Sequence, residues 1–185
     1  MMLETAVRKI TVSEYHKMAE VGIIQPDEKV ELINGEIVYK MSPVNKRHAS
    51  HVKGINELLV YRLYKQATIG VQDPIFIQNH SAPEPDISVL KYSENHYVNE
   101  NIDAQNAFLV IEVSDSTLKK DQTTKLQLYA SANIPEYWIV NLVDNCIEVF
   151  KNPKSNFYQQ HFIMTDDDIL ELPFGKSLIV SEILK

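Results

Sequence analysis

Residues 108–113, FLVIEV, are apolar enough for a strand covered on both faces, yet they carry a carboxylate, Glu112. Continuously apolar strands lie inside sheets with layers on both sides. An ionised carboxylate in such a place is costly unless a cation or a metal compensates it. The fold must therefore deliver positive charge to Glu112, and no other stretch narrows the possible architecture as much.

The surrounding sequence alternates strand and helix signals. Thr11 followed by Glu14 in TVSEYHKMAEVGI is a capping box that starts a short helix. In KVELINGEIVYKM, Asn34-Gly35 sits between two β-rich arms and predicts a two-residue hairpin. Val52, Ile55, Leu59 and Leu63 recur at helical spacing and predict the longest helix over 45–67. Strands are expected over 69–78 and 84–92, and an irregular crossover over 93–105. Residues 118–133 read as a helix, 135–151 as a second hairpin turning near Asp144-Asn145, and 157–164 as a further strand, before a short C-terminal segment over 177–185. With 185 residues, 44% apolar content and no repeat or linker, the chain is expected to form one domain, 1–185, of the α/β or α+β class around a mixed sheet.

Strand geometry brings a second carboxylate into the argument. Alternation puts Glu112 on one face with Phe108 and Val110. Pro85 lacks a donor and suits a strand's first residue, which leaves Asp86 at the mouth of the strand after it. If the two strands are neighbours the carboxylates meet, and paired carboxylates with open positions are how proteins hold Mg²⁺. In the helix over 118–133, Lys125 falls within the stripe of Leu126, Leu128, Tyr129 and Ala132. It either turns inward toward Glu112, or pairs at the surface with Asp121 four residues earlier, or snorkels out.

Composition removes other classes. A lone cysteine, Cys146, allows no disulfide framework and is most simply a packing residue, while His16, His51, His80, His96 and His161 fit no ligand spacing for zinc. There is no G-x-S-x-G elbow, P-loop or G-x-G-x-x-G. No signal-peptide stretch or membrane span is evident, so a soluble cytoplasmic protein is expected. The net charge of −7 argues against coating nucleic acid, yet 45–66 carries Lys46, Arg47, Lys53, Arg62 and Lys65 against Glu57 alone. A solvated helix face and a phosphate-contacting face both fit that bias.

Pro85-Asp86 followed by Glu112-Val113-Ser114 resembles the PD-(D/E)XK nuclease superfamily. More specifically, VELINGEIV, EPDISV, IEVSDST and KLQLYASANIPEYWIV, in that order, are similar to the Uma-type family of restriction-endonuclease-like proteins, over about 26–151. The resemblance implies a restriction-endonuclease-like fold and a Mg²⁺- or Mn²⁺-dependent endonuclease acting on DNA, with a homodimer as the expected assembly. It implies metal binding by Asp86, Glu112 and the Val113 carbonyl. Ser114 stands where the superfamily lysine is expected, and the Uma-type pattern moves that lysine to the next helix, at Lys125. The resemblance adds Glu31 and His48 to the candidate catalytic residues; an exposed hairpin glutamate and a helix-start hydrogen bond are their structural alternatives. The rival function is a nuclease-like scaffold that binds nucleic acid or a protein without cutting, to which Ser114 and the acidic net charge lend weight.

Overall fold

The computed structural model describes residues 7–40 and 46–185; the N-terminal residues read for a signal peptide, Met41 of the hairpin stretch and Asn45 of the long helix lie outside them. Helix α1 (Val12–Glu20) starts at the Thr11–Glu14 capping box. A hairpin of β1 (Val30–Ile33) and β2 (Glu36–Tyr39) follows, and then the long helix α2 (Lys46–Arg62). β3 (Ala67–Gly70), β4 (Ile87–Lys91) and β5 (Ala107–Ser114) come next. After them one helix runs through α3 (Leu118–Lys120), a π turn (Asp121–Lys125) and α4 (Leu126–Ser131). β6 (Glu136–Asn141), β7 (Cys146–Lys154), β8 (Phe157–Met164), a hairpin of β9 (Ile169–Leu172) and β10 (Lys176–Ile179), and α5 (Val180–Ile183) complete the chain.

Six strands form the central sheet in the order β3-β4-β5-β6-β7-β8. Only β5 and β6 are parallel; every other pair is antiparallel. The parallel pair requires a crossover, and the π-interrupted helix provides it. On one face Val52, Ile55 and Leu59 of α2, and Leu63 just after it, pack with β9, β10 and α5 against Leu109, Ile111, Val113 and Trp138. On the other, Leu128 and Tyr129 of α4 and Ile33 of the first hairpin pack against Val110, Tyr137 and Ile139. β5 is thus covered twice, as its apolar run requires. Each of these large side chains contributes about 1.5–3 kcal/mol by leaving water.

Several boundaries differ from the sequence expectation for identifiable reasons. The long helix stops at Arg62, because Lys65 takes a left-handed φ of 57° and Ala67 already belongs to β3. The strand expected over 69–78 ends at Gly70; Gln72 has a positive φ and Pro74 cannot donate, so 75–77 bond singly to Pro83, Ile102 and Ser81. A register shift in the β4–β5 ladder puts Leu109 opposite Val89 but Ala107 opposite Leu90, so Phe108 leaves the alternation and joins the α2 side, where it meets Phe174. Glu112 therefore shares its face with Val110 but not with Phe108. The β9–β10 hairpin, absent from the sequence reading, turns on Phe174 and Gly175, both at positive φ.

Two glycines make opposite demands. Asn34 and Gly35 both have positive φ, as a primed hairpin turn needs, and a Cβ on Gly35 would stand 2.6 Å from the Lys9 Cβ. A Cβ on Gly54, mid-helix, would meet nothing within 4 Å. Gly54→Ala should therefore raise stability by about 0.5–1 kcal/mol, whereas Gly35→Ala should lower it by at least about 1 kcal/mol. Urea unfolding of the two variants checks both signs.

Candidate active site

The antiparallel register pairs Ile87 with Ile111, and one step further sets Asp86 beside Glu112. Asp86 Oδ2 accepts the Val113 N–H at 2.9 Å, so the side chain takes a bond that the ladder would otherwise have used. Ser114 turns its carbonyl toward the β6 side, accepting from Leu142 N–H at 2.9 Å. Successive residues of a strand point their main-chain groups to opposite neighbours, so the Val113 carbonyl faces β4 along with its N–H. His48, at the start of α2, lies 3.0 Å from Asp86 Oδ2, and Gln72 reaches Oδ1 at 3.4 Å. His48 thus has a carboxylate contact at the helix start.

Compensation for Glu112 comes from the crossover helix. Lys125 is only 5% exposed, and its ammonium donates to Glu112 Oε1 at 2.8 Å. Tyr129, one helical turn later, donates its hydroxyl to the same oxygen at 2.7 Å. The solvated Lys125–Asp121 pair is excluded, because Asp121 is itself buried and accepts from Ser114 Oγ at 2.6 Å and Thr117 Oγ1 at 2.7 Å. Ser114 therefore serves Asp121. In the π turn the Asp121 carbonyl accepts both the Leu126 N–H and, at 3.2 Å, the Tyr137 hydroxyl.

Glu31 is fully buried instead of exposed on its hairpin. It accepts from Lys120 at 2.6 Å and from the Glu84 N–H at 3.2 Å, and lies 3.5 Å from the Lys125 ammonium. Five sequence-nominated residues, Glu31, His48, Asp86, Glu112 and Lys125, thus meet around one point with the Val113 backbone. Tyr129, Asp121, Lys120 and Gln72 join them without having been nominated. Tyr129 and Asp121 had a signal, their four-residue spacing from Lys125; Lys120 and Gln72 had none, since their partners lie far away in sequence.

Negative charge predominates in this buried cluster. Burial pushes Glu112 up to about 8, with Asp121, Asp86 and Glu31 adding to the rise and Lys125 opposing it. Burial alone would lower Lys125, yet Glu112, Glu31 and Asp121 more than reverse that and hold it protonated. Burial would likewise raise Asp86, but the bond from His48 and the Val113 N–H bring it below its ordinary value. Among the described residues no three His, Cys, Asp or Glu side chains converge into a metal cage. Mg²⁺ needs none, since one or two carboxylates with water and substrate oxygens suffice. Two carboxylates on adjacent strands and a main-chain carbonyl form a hard oxygen set of that kind, and a carboxylate held near pKa 8 is short of a cation.

The His48–Asp86 contact makes stability depend on pH with a definite sign. Its bond to Asp86 raises His48 above its ordinary value, against the effect of burial. Such a group adds stability in full below about pH 6.5, and the gain fades as pH rises through the folded value. His48→Asn should therefore cost about 1.5–3 kcal/mol near pH 5 and much less near pH 9. Paired thermal melts at the two pH values measure the difference; an equal cost at both would deny the charged pair.

With this geometry established, comparison with known proteins becomes informative. The model of a family described as "Uma2: Putative restriction endonuclease" matches residues 12–181. Among solved structures, "a putative nuclease belonging to DUF820" from Anabaena variabilis ATCC 29413 is similar in fold, with a TM-score of 0.74 and 18% identity over 95% of this chain and 97% of that one. No curated protein matches. The match spans nearly the whole chain and includes every residue of the cluster around Glu112, and on that ground the protein belongs to the Uma2 family.

Proposed function

We propose that the protein is a metal-dependent endonuclease that hydrolyses phosphodiester bonds of DNA. The observation that carries this reading is the buried Lys125 ammonium between Glu112 and Glu31, in the sheet interior where Asp86, at the mouth of β4, stands beside Glu112 of β5. Asp86, Glu112 and the Val113 carbonyl would hold Mg²⁺ or Mn²⁺. When bound, the cation supplies Lewis acidity, acidifying water and offsetting phosphate charge.

The side chains divide the remaining work. Lys125 is held protonated by its carboxylate neighbours, so it acts as a donor and not as a base. It orients the attacking water or stabilises charge on the phosphoryl oxygens. Tyr129 and Lys125 both hold the Glu112 carboxylate through Oε1, and Oε2 would be the oxygen offered to the cation. Glu31 shares the Lys125 charge and positions that ammonium. His48 holds Asp86 in place and is near enough to contact substrate. The N-terminal half of α2, with Lys46, Arg47 and Lys53, contributes phosphate contacts.

Lys125→Met would leave buried carboxylates uncompensated at a cost of about 3–5 kcal/mol, so lost activity in that variant would report unfolding as readily as chemistry. Asp86→Asn and Glu112→Gln keep the shape of the site. Both should reduce Mn²⁺-dependent plasmid cleavage by at least about 10²-fold. Calorimetric Mn²⁺ binding should weaken in both and, in the wild type, tighten as pH rises toward about 8, because proton and cation compete for Glu112. Undiminished cleavage by Asp86→Asn overturns the assignment, and metal-independent DNA binding without cleavage by the wild type favours the non-cutting scaffold.

Cutting both strands of a duplex calls for two such sites, so the active form is proposed to be a homodimer. Light scattering at micromolar concentration should give twice the chain mass; a monomer would remove this part.

A further inference from the structure

α2 carries an outward face that the site does not use. Lys46, Ser50, Lys53, Glu57 and the adjacent pair Val60 and Tyr61 recur at three- and four-residue steps along α2, and Tyr64 follows in the turn after Arg62, all exposed and opposite the buried stripe of Val52, Ile55, Leu59 and Leu63. They form a ridge whose basic end shares a helical turn with His48, which meets Asp86 from the other side of the helix, and whose far end holds two tyrosines. Tyr61 is 80% exposed and Tyr64 70%, with Val60 beside them and a shallow groove running past Asn56 and Glu57. Val60, Tyr61 and Tyr64 together make a contiguous exposed apolar patch, the kind of surface that marks a binding site.

Charge says what kind of partner. Arg62 is committed to Glu182 at 2.8 Å. No carboxylate of the described residues pairs with Lys46, Arg47, Lys53 or Lys65, and Glu57 is the one acid on the ridge. Protein-binding patches have cores depleted of charge, whereas here a basic half adjoins an aromatic half and Lys65 lies 5.6 Å from the Tyr64 ring centroid. Basic groups followed by open aromatic faces suit a nucleic-acid strand whose bases are unpaired, since paired bases offer no face to stack on. Gly54 lies between the basic and aromatic halves of the ridge, where a Cβ would meet nothing, so packing does not call for glycine there while close approach by a ligand backbone would.

We propose that this ridge binds an unpaired arm of the nucleic acid whose scissile phosphate lies at Asp86, with bases stacked on Tyr61 and Tyr64, so that the preferred substrates carry single-stranded tails or flaps. The inference rests on the nuclease reading for the phosphate at Asp86, but the ridge itself is testable without cleavage. From His48 to Tyr61 the helix rises about 20 Å, and a strand must also pass round to the outward face, so the path takes at least roughly six nucleotides at ~3.4 Å each. Tails of about two nucleotides cannot reach the rings, and tails of about eight can.

The test is fluorescence anisotropy in EDTA, where no metal-dependent cleavage occurs, using a dye-labelled DNA single strand of about twelve nucleotides and duplexes with short or long tails. The wild type should prefer the single strand and the long-tailed duplex to a blunt one. Tyr61→Ala/Tyr64→Ala should lose that preference, with affinity falling at least about fivefold per ring, while Tyr61→Phe/Tyr64→Phe keeps it. Both tyrosines are exposed, so all variants should melt like the wild type. Equal binding by the alanine variant overturns the proposal. A wild-type dimer that becomes monomeric in the alanine variant also overturns it, by making the ridge a contact between copies. Tyrosine-dependent binding by a protein that cleaves nothing keeps the ridge and removes the nuclease reading; tyrosine-independent binding by a protein that cleaves does the reverse.

Discussion

One buried ammonium organises the centre of the molecule. Lys125 lies against Glu112 on β5 and Glu31 on the first hairpin, with Asp121 on its own helix and Asp86 just before β4. A buried ion pair is weak evidence for stability, since apolar residues of the same shape often do as well. Four carboxylates surround one enclosed lysine, with Lys120, His48 and Lys40 as further positive groups nearer the surface, an arrangement that stability alone does not call for. Fixed negative charge and a fixed ammonium are held together there, which is the arrangement the proposed chemistry uses.

Holding those charges apart and in place is the task of the surrounding fold. The β4–β5 ladder fixes Asp86 relative to Glu112, and the bond from Val113 N–H locks the Asp86 rotamer. The crossover helix cannot stay regular while doing its part. Its π turn leaves the Asp121 carbonyl able to accept from Leu126 and Tyr137 together, which ties the turn to β6. Such turns recur at functional sites because they re-aim side chains without ending the helix. The first hairpin is bound in through Glu31 and Lys120, so an element outside the main sheet becomes part of the site's electrostatics.

Legibility in the sequence followed the range of the interactions. The Thr11–Glu14 box and the Asn34-Gly35 turn are fixed by residues within three positions of each other, and both formed as read. Glu112 was legible because a carboxylate in an apolar strand demands a partner wherever that partner lies. What could not be read were contacts between distant segments that leave no periodic trace. Lys120 meets Glu31 across 89 residues, and Gln72 reaches Asp86 only because its own positive φ ends β3 early. The Phe108 bulge is similar: alternation is a default, and a neighbour's register overrides it. The β9–β10 hairpin hid because its turn uses Phe174 at positive φ, a residue that turn chemistry does not nominate.

α2 links these levels. Its buried stripe anchors it to the sheet, its first turn brings His48 to Asp86, and its tail is pinned where Arg62 meets Glu182. Because the helix is rigid, whatever rests on its outer face is held at a fixed distance from Asp86. The chain's net charge of −7 would forbid an anionic partner there only if charge acted as a single sum. At physiological salt, interactions between exposed charges are largely screened beyond roughly 8 Å, so a phosphate on α2 responds mainly to Lys46, Arg47 and Lys53. The acidic remainder then has another consequence: it weakens unspecific attraction of polyanions elsewhere on the surface and leaves the basic helix as the favoured approach to the buried carboxylates.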